Sequence, residues 1–259
     1  MINNKVNLCF SKKAAGILLA ATSFLVMACS ENVKELSTLS TNELGITIPD
    51  GQSREYSYTD KNGGFYYGMT STDDWGDWFA GWNIYAKRIF ADYRLYVDGE
   101  RLLRENARTS VYPDKLVRSY EEAVETFCLV DEPKLLCVRM DSVQGKQISF
   151  MLMGGNVVDA RKDGNSVLYT TKESPENVIR IASVAEAGIE FADNLITVPV
   201  AADGFLIAFG TEEDSRQAIA GFRKEGEKWL SARSQRIQSL LDHNPLKTNL
   251  DSLDHALAW

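Results

Sequence analysis

The chain has 259 residues, 44% of them hydrophobic and 25% charged, with 28 Lys and Arg against 36 Asp and Glu and a formal net charge of −8. That is enough apolar material for a sizeable core, while the acidic balance argues against nucleic acid and anionic lipid head groups as partners, because phosphate binding needs a basic surface. The two histidines, His243 and His255, lie far in sequence from the cysteines, and no Cys-x-x-Cys spacing occurs, so neither a metal site nor a cofactor is expected.

Lys5, Lys12 and Lys13 precede an uncharged run from Ala14 to Ala28, AAGILLAATSFLVMA. This length suits the core of a signal peptide and falls short of the ~20 apolar residues that span a bilayer. The run ends in Val26-Met27-Ala28-Cys29, which resembles the lipobox of bacterial lipoproteins, with Val26 where Leu is usual. The resemblance implies cleavage after residue 28, acylation of Cys29, and a protein exported and lipid-anchored on the periplasmic or cell-surface side of a bacterial membrane. An ordinary secretory signal with an incidental Cys29 is the alternative. Loss of residues 1–28 removes three lysines and no acids, leaving 25 basic against 36 acidic residues, a net of −11. Residues 29–50, rich in Ser, Thr, Asn and Glu, read as a flexible tether.

From 51 to 210 the pattern has period two, with short runs rich in β-branched and aromatic residues between Asn-Gly, Asp-Gly, Gly-Gly and Pro-containing stretches. REYSYT, GFYYGMT, WNIYAKRIF, YRLYVDGERLL, KLVRSY, AVETFCLV, KLLCVRM, QISFMLM, SVLYTT, NVIRIASV and GFLIAFG are these runs. Asp98-Gly99 is the strongest hairpin signal, since a type I′ turn needs the positive φ that Gly tolerates. Ten or more strands with no repeat period predict a mainly β fold, a large two-sheet antiparallel β-sandwich.

At Thr211 the period changes. Thr211-Glu212-Glu213-Asp214 has the form of a capping box, and AIAGFRKEGEKWLSARSQRIQSLL continues it with helical spacing, giving one or two linker helices over 211–243. Gly221 and Gly226 are places where a break is expected. Asn244-Pro245 ends this segment, and residues 244–259 begin another helix, with Leu250, Leu253, Ala256 and Leu257 on one face and nothing to cover them. That pattern reads as the first helix of a missing helical domain.

Two groups of side chains stand out. Cys128 and Cys137 flank a turn at Glu132-Pro133, so they are expected opposite one another on a hairpin, either bridged by a disulfide or packed as two buried thiols. Trp75, Trp78 and Trp82 fall within eight residues, among Asp73, Asp74, Asp77 and Asn83. Sugar rings present apolar C–H faces bordered by hydroxyls, and such indoles with carboxylate and amide neighbours are what a carbohydrate site requires. The alternatives are that Trp82, Phe79 and Tyr85 begin a core strand and that Trp75 and Trp78 seal the interface with a helical domain. Asp73-Asp74, Glu121-Glu122 and Glu212-Glu213 are sequence neighbours, poor as acid and base pairs, and read as solvated surface or helix-terminus charge.

The order sandwich, linker helix, opening helix resembles the N-terminal part of bacterial glycogen-debranching enzymes of the amylo-α-1,6-glucosidase type and related (α/α)6-barrel glycosidases. The resemblance is carried by NGGFYYGMTSTD with KRIFADYRLYVDG, by VYPDKLVRSYEEAVETFCLVDE, by GFLIAFGTEEDS and by LDSLDHALAW. It departs at GWNIYAKRIF, which stands where that family has a basic Arg-x-x-His-Gly segment. It implies an oligo- or polysaccharide partner of α-glucan type, a barrel domain in cis carrying the two catalytic carboxylates, and no catalytic residue in this chain. A non-catalytic glycan-binding or protein-interaction surface lipoprotein is the alternative function.

Overall fold

A computed structural model of the chain describes residues 39–259 except 75, 155–156, 173, 200–202 and 244–247. Among the described residues eighteen strands, numbered in chain order, form three antiparallel sheets where two were expected, and the fold is mainly β as the patterning predicts. Across the nine-stranded sheet they run β1 (Ile46–Ile48), β8 (Arg108–Val111), β9 (Leu116–Ser119), β10 (Val124–Leu129), β11 (Leu135–Asp141), β18 (Gly204–Gly210), β15 (Val178–Ser183), β14 (Ser166–Thr171) and β13 (Val157–Asp163). The five-stranded sheet has the order β16 (Glu190–Ala192), β17 (Leu195–Val198), β12 (Ile148–Met153), β6 (Asp92–Val97) and β7 (Glu100–Arg101). The four-stranded sheet is β2 (Glu55–Thr59), β3 (Gly64–Met69), β4 (Gly81–Ile84) and β5 (Lys87–Phe90).

One core lies between the large sheet and the two smaller ones. Tyr66 on β3 meets Phe127 on β10 with ring centroids 4.7 Å apart, Phe150 on β12 meets Phe205 on β18 at 5.2 Å, and Trp82 on β4 meets Phe209 on β18 at 6.3 Å. These are the offset and edge contacts aromatic quadrupoles favour. The other face of the large sheet is covered by helix α1 (Glu212–Asp242), whose Ala218, Ile219 and Phe222 pack on Cys128, Cys137, Leu206 and Ala208. The middle strands are therefore buried on both faces. KLLCVRM, NVIRIASV and GFLIAFG are apolar at successive positions for that reason rather than alternating.

Several local expectations are refined. Residues 46–48, assigned to the tether, form β1 and pair with β8 in the register Ile46↔Val111, and Leu44 is fully buried. WNIYAKRIF is a hairpin, not one strand. Its turn is made by Tyr85 and Ala86 at φ 49° and 62°, where Tyr85 N–H donates to the Gly63 carbonyl at 3.0 Å and Lys134 Nζ lies 4.5 Å from the ring centroid. Non-local contacts thus hold a conformation that the dipeptide does not advertise. Asp98-Gly99 turns as its sequence predicts, at φ 50° and 84°.

Helix α1 is continuous through both glycines. The Thr211 hydroxyl oxygen accepts from Asp214 N–H at 3.1 Å, closing the N-terminus as the capping pattern predicts. Gly221 is a close-approach point, since a Cβ there would lie 2.7 Å from the Trp229 ring. Helix α2 (Asp251–Ala258) leaves Leu250, Leu253 and Leu257 exposed, and beyond its end the Trp259 indole N–H donates to the Leu44 carbonyl at 2.8 Å. No helix among the described residues is long and apolar enough to cross a membrane.

Candidate functional site

Alternation along β3 sets up the site. Gly64, Tyr66 and Gly68 face the core, and Phe65, Tyr67 and Met69 face outward. Ser57 on β2 stands opposite Tyr67, and the loop from β3 to β4 folds back to set Phe79 beside Phe65, ring centroids 6.3 Å apart. Ser57, Phe65, Tyr67, Asp77 and Phe79 together line a shallow cleft of about 410 Å³. Trp78 stands beside it, edge-to-face with Phe79 at 6.5 Å, and its side chain is 80% exposed. A solvated indole releases its hydration water and buries apolar area when a flat apolar partner arrives.

The loop backbone that carries these rings is fixed. Asp77 Oδ1 accepts from Phe79 N–H at 2.8 Å, the Asp77 carbonyl accepts from Ala80 N–H at 3.2 Å, and the Phe79 carbonyl accepts from Asn83 Nδ2 at 2.8 Å. Gly81, at φ 92°, lets the loop enter β4 against β5, because a Cβ there would fall 2.0 Å from the Phe90 carbonyl oxygen. At the far end of the loop, Asp73 accepts from Arg101 Nη2 with both oxygens, at 2.5 and 2.7 Å, and from Arg94 Nε at 3.2 Å. The backbone that carries the rings is thus ordered before any ligand binds, which lowers the ordering cost of binding.

The residues singled out in the sequence therefore separate. Trp78 is in the cleft region and Asp74 is exposed nearby. Trp82 is fully buried in the core, and Asn83 is buried with its amide spent on the Phe79 and Gly81 carbonyls. Asp73 is 7% exposed and neutralised by two arginines, so it is neither a sugar acceptor nor solvated surface charge. Trp75 and Cys29 lie outside the described residues. Cys128 and Cys137 stand opposite in the β10–β11 register as free, buried thiols, and burial pushes the Cys128 thiol up to about 12. Glu121, Glu122, Glu212 and Glu213 are exposed, with Glu212 and Glu213 in the first turn of α1. Phe79 and Tyr85, read with Trp82 as the start of a core strand, are exposed instead, and Phe65 and Tyr67 are cleft residues that the tryptophan pattern did not mark. Their signal is the alternation of GFYYGM, which places two aromatic residues on the outward face once Tyr66 is known to be inside.

The Tyr67 hydroxyl donates to Glu55 Oε2 at 2.8 Å, and this bond holds its proton on, pushing the phenol up to about 12. It is a neutral hydroxyl at every ordinary pH, suited to hydrogen bonding. Among the described residues no group of three or more His, Cys, Asp or Glu side chains is placed to hold a metal ion.

A second polar cluster lies deep between the sheets. Glu125 accepts from Arg118 Nη1 at 2.8 Å, from Tyr120 at 3.0 Å, and from the Tyr93 hydroxyl. Arg118 Nη2 donates to the Tyr56 hydroxyl at 2.9 Å. Arg104 donates to both oxygens of Asp92 at 2.7 Å, and Tyr66 donates to Asp92 Oδ1 at 2.7 Å. Burial drives the Glu125 carboxyl up, and the two guanidiniums and two phenols more than offset this, so it stays below the usual carboxylate range. These groups pair with one another and make a structural network in which Arg118 Nε is left buried without a hydrogen-bond partner.

No protein-family model matches the sequence, and no curated protein matches it either.

Proposed function

We propose that the outward aromatic face of the four-stranded sheet binds a glycan, and that the chain is the sandwich part of a lipid-anchored, α-glucan-acting glycoside hydrolase whose catalytic carboxylates lie in a helical barrel. The observation that carries the binding reading is the 80% exposed indole of Trp78 beside Phe79 and Phe65 on a backbone fixed by hydrogen bonds. Rings stack on sugar C–H faces, while Asp77, Ser57 and the Tyr67 hydroxyl offer acceptors and donors to the hydroxyls. The hydrolase setting and the α-glucan rest on the sequence resemblance, and the anchor rests on the Ala28-Cys29 junction.

Titration of the chain with linear maltooligosaccharides, followed by tryptophan fluorescence, tests this. Trp78→Ala is expected to weaken binding by about tenfold or more, since loss of stacking and buried area at one ring amounts to ~1–3 kcal/mol. Equal affinity of the variant and the parent chain overturns the assignment of the site.

A further inference from the structure

A second cleft opens where the edge of the nine-stranded sheet meets the edge of the five-stranded one, far along the chain from the aromatic face. It has a volume of about 490 Å³, within the range of small-molecule sites, and Val158, Asp159, Tyr169, Phe191, Asp193 and Asn194 contribute to its lining. Two backbone irregularities shape it. β13 shifts register between Val157 and Asp159, which turns Val158 outward, and the β16–β17 turn is made by Asp193 and Asn194 at φ 52° and 62°. Phe191 stands edge-to-face with Tyr169, ring centroids 6.2 Å apart.

The group that sets this cleft apart is Tyr169. The residue is 3% exposed, and its hydroxyl is buried with no hydrogen-bond partner. It shares the inner face of β14 with Val167 in the core cluster and also contributes to the lining of the cleft. Burial keeps the phenol protonated, so it is an O–H donor lacking an acceptor. A buried polar group left in this state costs free energy that an incoming acceptor returns.

The donor and acceptor inventory decides the ligand class. Asp159 and Asp193 offer exposed acceptors, and Tyr169 is a buried donor that needs an acceptor. An ammonium supplies donors only. An anion supplies acceptors but is repelled by the two carboxylates, and no Lys or Arg is among the described residues lining the cleft. A hydroxyl supplies both at once. We propose that this cleft binds a neutral, hydroxyl-rich ring, a single sugar residue or cyclitol, with Tyr169, Asp159, Asp193 and Asn194 as polar contacts and Phe191 as an apolar wall. The assignment uses none of the residues of the aromatic face and stands apart from it.

Amide chemical shifts of the chain, followed during titration with D-glucose, maltose and myo-inositol, test it, with choline and inorganic phosphate as the cationic and anionic probes. At least one neutral polyol is expected to shift the amides of Asp159, Ala160 and Phe191 to Asn194, while choline and phosphate leave them in place. Tyr169→Phe removes only the hydroxyl. It is expected to weaken that binding about fivefold to tenfold and to leave the melting temperature unchanged or raise it, because no internal bond is lost and an unpaired buried hydroxyl is removed. Asp159→Asn, which still accepts from Ala160 N–H, is expected to weaken binding as well, and Trp78→Ala to leave it unaltered. The proposal is overturned by no shift with any polyol, by a stronger response to choline or phosphate, by a lower melting temperature in Tyr169→Phe, or by loss of binding in Trp78→Ala.

Discussion

The interior between the sheets and the outer face of the four-stranded sheet invert the usual distribution of residue types. Inside, Arg118, Glu125, Arg104 and Asp92 are buried together, with the hydroxyls of Tyr56, Tyr66, Tyr93 and Tyr120 bonded to them. Outside, an indole and a phenyl ring stand in water. The two regions share strand β3, where Tyr66 supplies a hydroxyl to the buried network and its neighbours Phe65 and Tyr67 supply rings to the surface. Charge is tolerated inside because every carboxylate oxygen in the network has donors, so the desolvation cost is offset by directional bonds. Aromatic surface outside has no such internal reason, and that contrast is the argument for a ligand at Trp78.

The largest expected effect breaks the interior. Glu125→Ala leaves the Arg118 guanidinium buried without its counter-charge, and a loss of ~3–5 kcal/mol is expected, enough to unfold a marginally stable domain. Chemical denaturation measures it. A loss below about 1 kcal/mol shows that water reaches Arg118 and that the interior is not the dry network described.

Acid sharpens the same side of the comparison. Glu125 and Asp131 are both held below their ordinary values, Glu125 mainly by Arg118 and Asp131 by hydrogen bonds and charge from Arg236 and Arg233, in each case against burial. A carboxylate depressed in the folded state contributes stability that is present above its unfolded value and is lost as pH falls through the folded value. The urea midpoint is therefore expected to hold from neutral pH down to about 5 and to fall below about 4, where unfolded carboxylates take up protons. Asp131 is partly exposed and contributes the smaller share. A midpoint that rises on acidification contradicts the pairing.

A smaller effect on stability lies at the helix that covers the large sheet. Thr211→Ala removes the side-chain acceptor for Asp214 N–H and is expected to cost ~1 kcal/mol, read as a small shift in the same denaturation curve, with glycan affinity unchanged.

How much of this was legible in the sequence follows the same division. The runs that became strands β2, β3, β6, β9 to β12, β14, β15 and β18 carried β-branched and aromatic patterning, and the cap at Thr211 and the turn at Asp98-Gly99 carried local chemistry. Strands β1, β8, β13, β16 and β17 did not announce themselves. They are short or lie at sheet edges, and VVDARKD on β13 looks like polar loop because one edge and much of its surface meet water. The buried ion pairs were illegible for a different reason. Arg118 and Glu125 sit in ordinary strand patterns, and only the cross-strand register Glu125↔Arg118 shows that they face each other inward. At the candidate site the tryptophans drew attention by their number, but Trp82 and Trp78 differ only in which side of Gly81 they fall. The break in φ at that glycine sends one into the core and leaves the other in solvent.

The measurement closest to the central contrast pairs two truncations, Trp82→Ala and Trp78→Ala, each followed by thermal melting and by maltooligosaccharide titration. Trp82→Ala is expected to lose ~3–5 kcal/mol of stability through the cavity it leaves. Trp78→Ala is expected to melt within about 0.5 kcal/mol of the parent chain, as exposed positions do, while losing most of its glycan affinity. A Trp78→Ala chain that melts as low as Trp82→Ala, with glycan binding intact, would contradict the account.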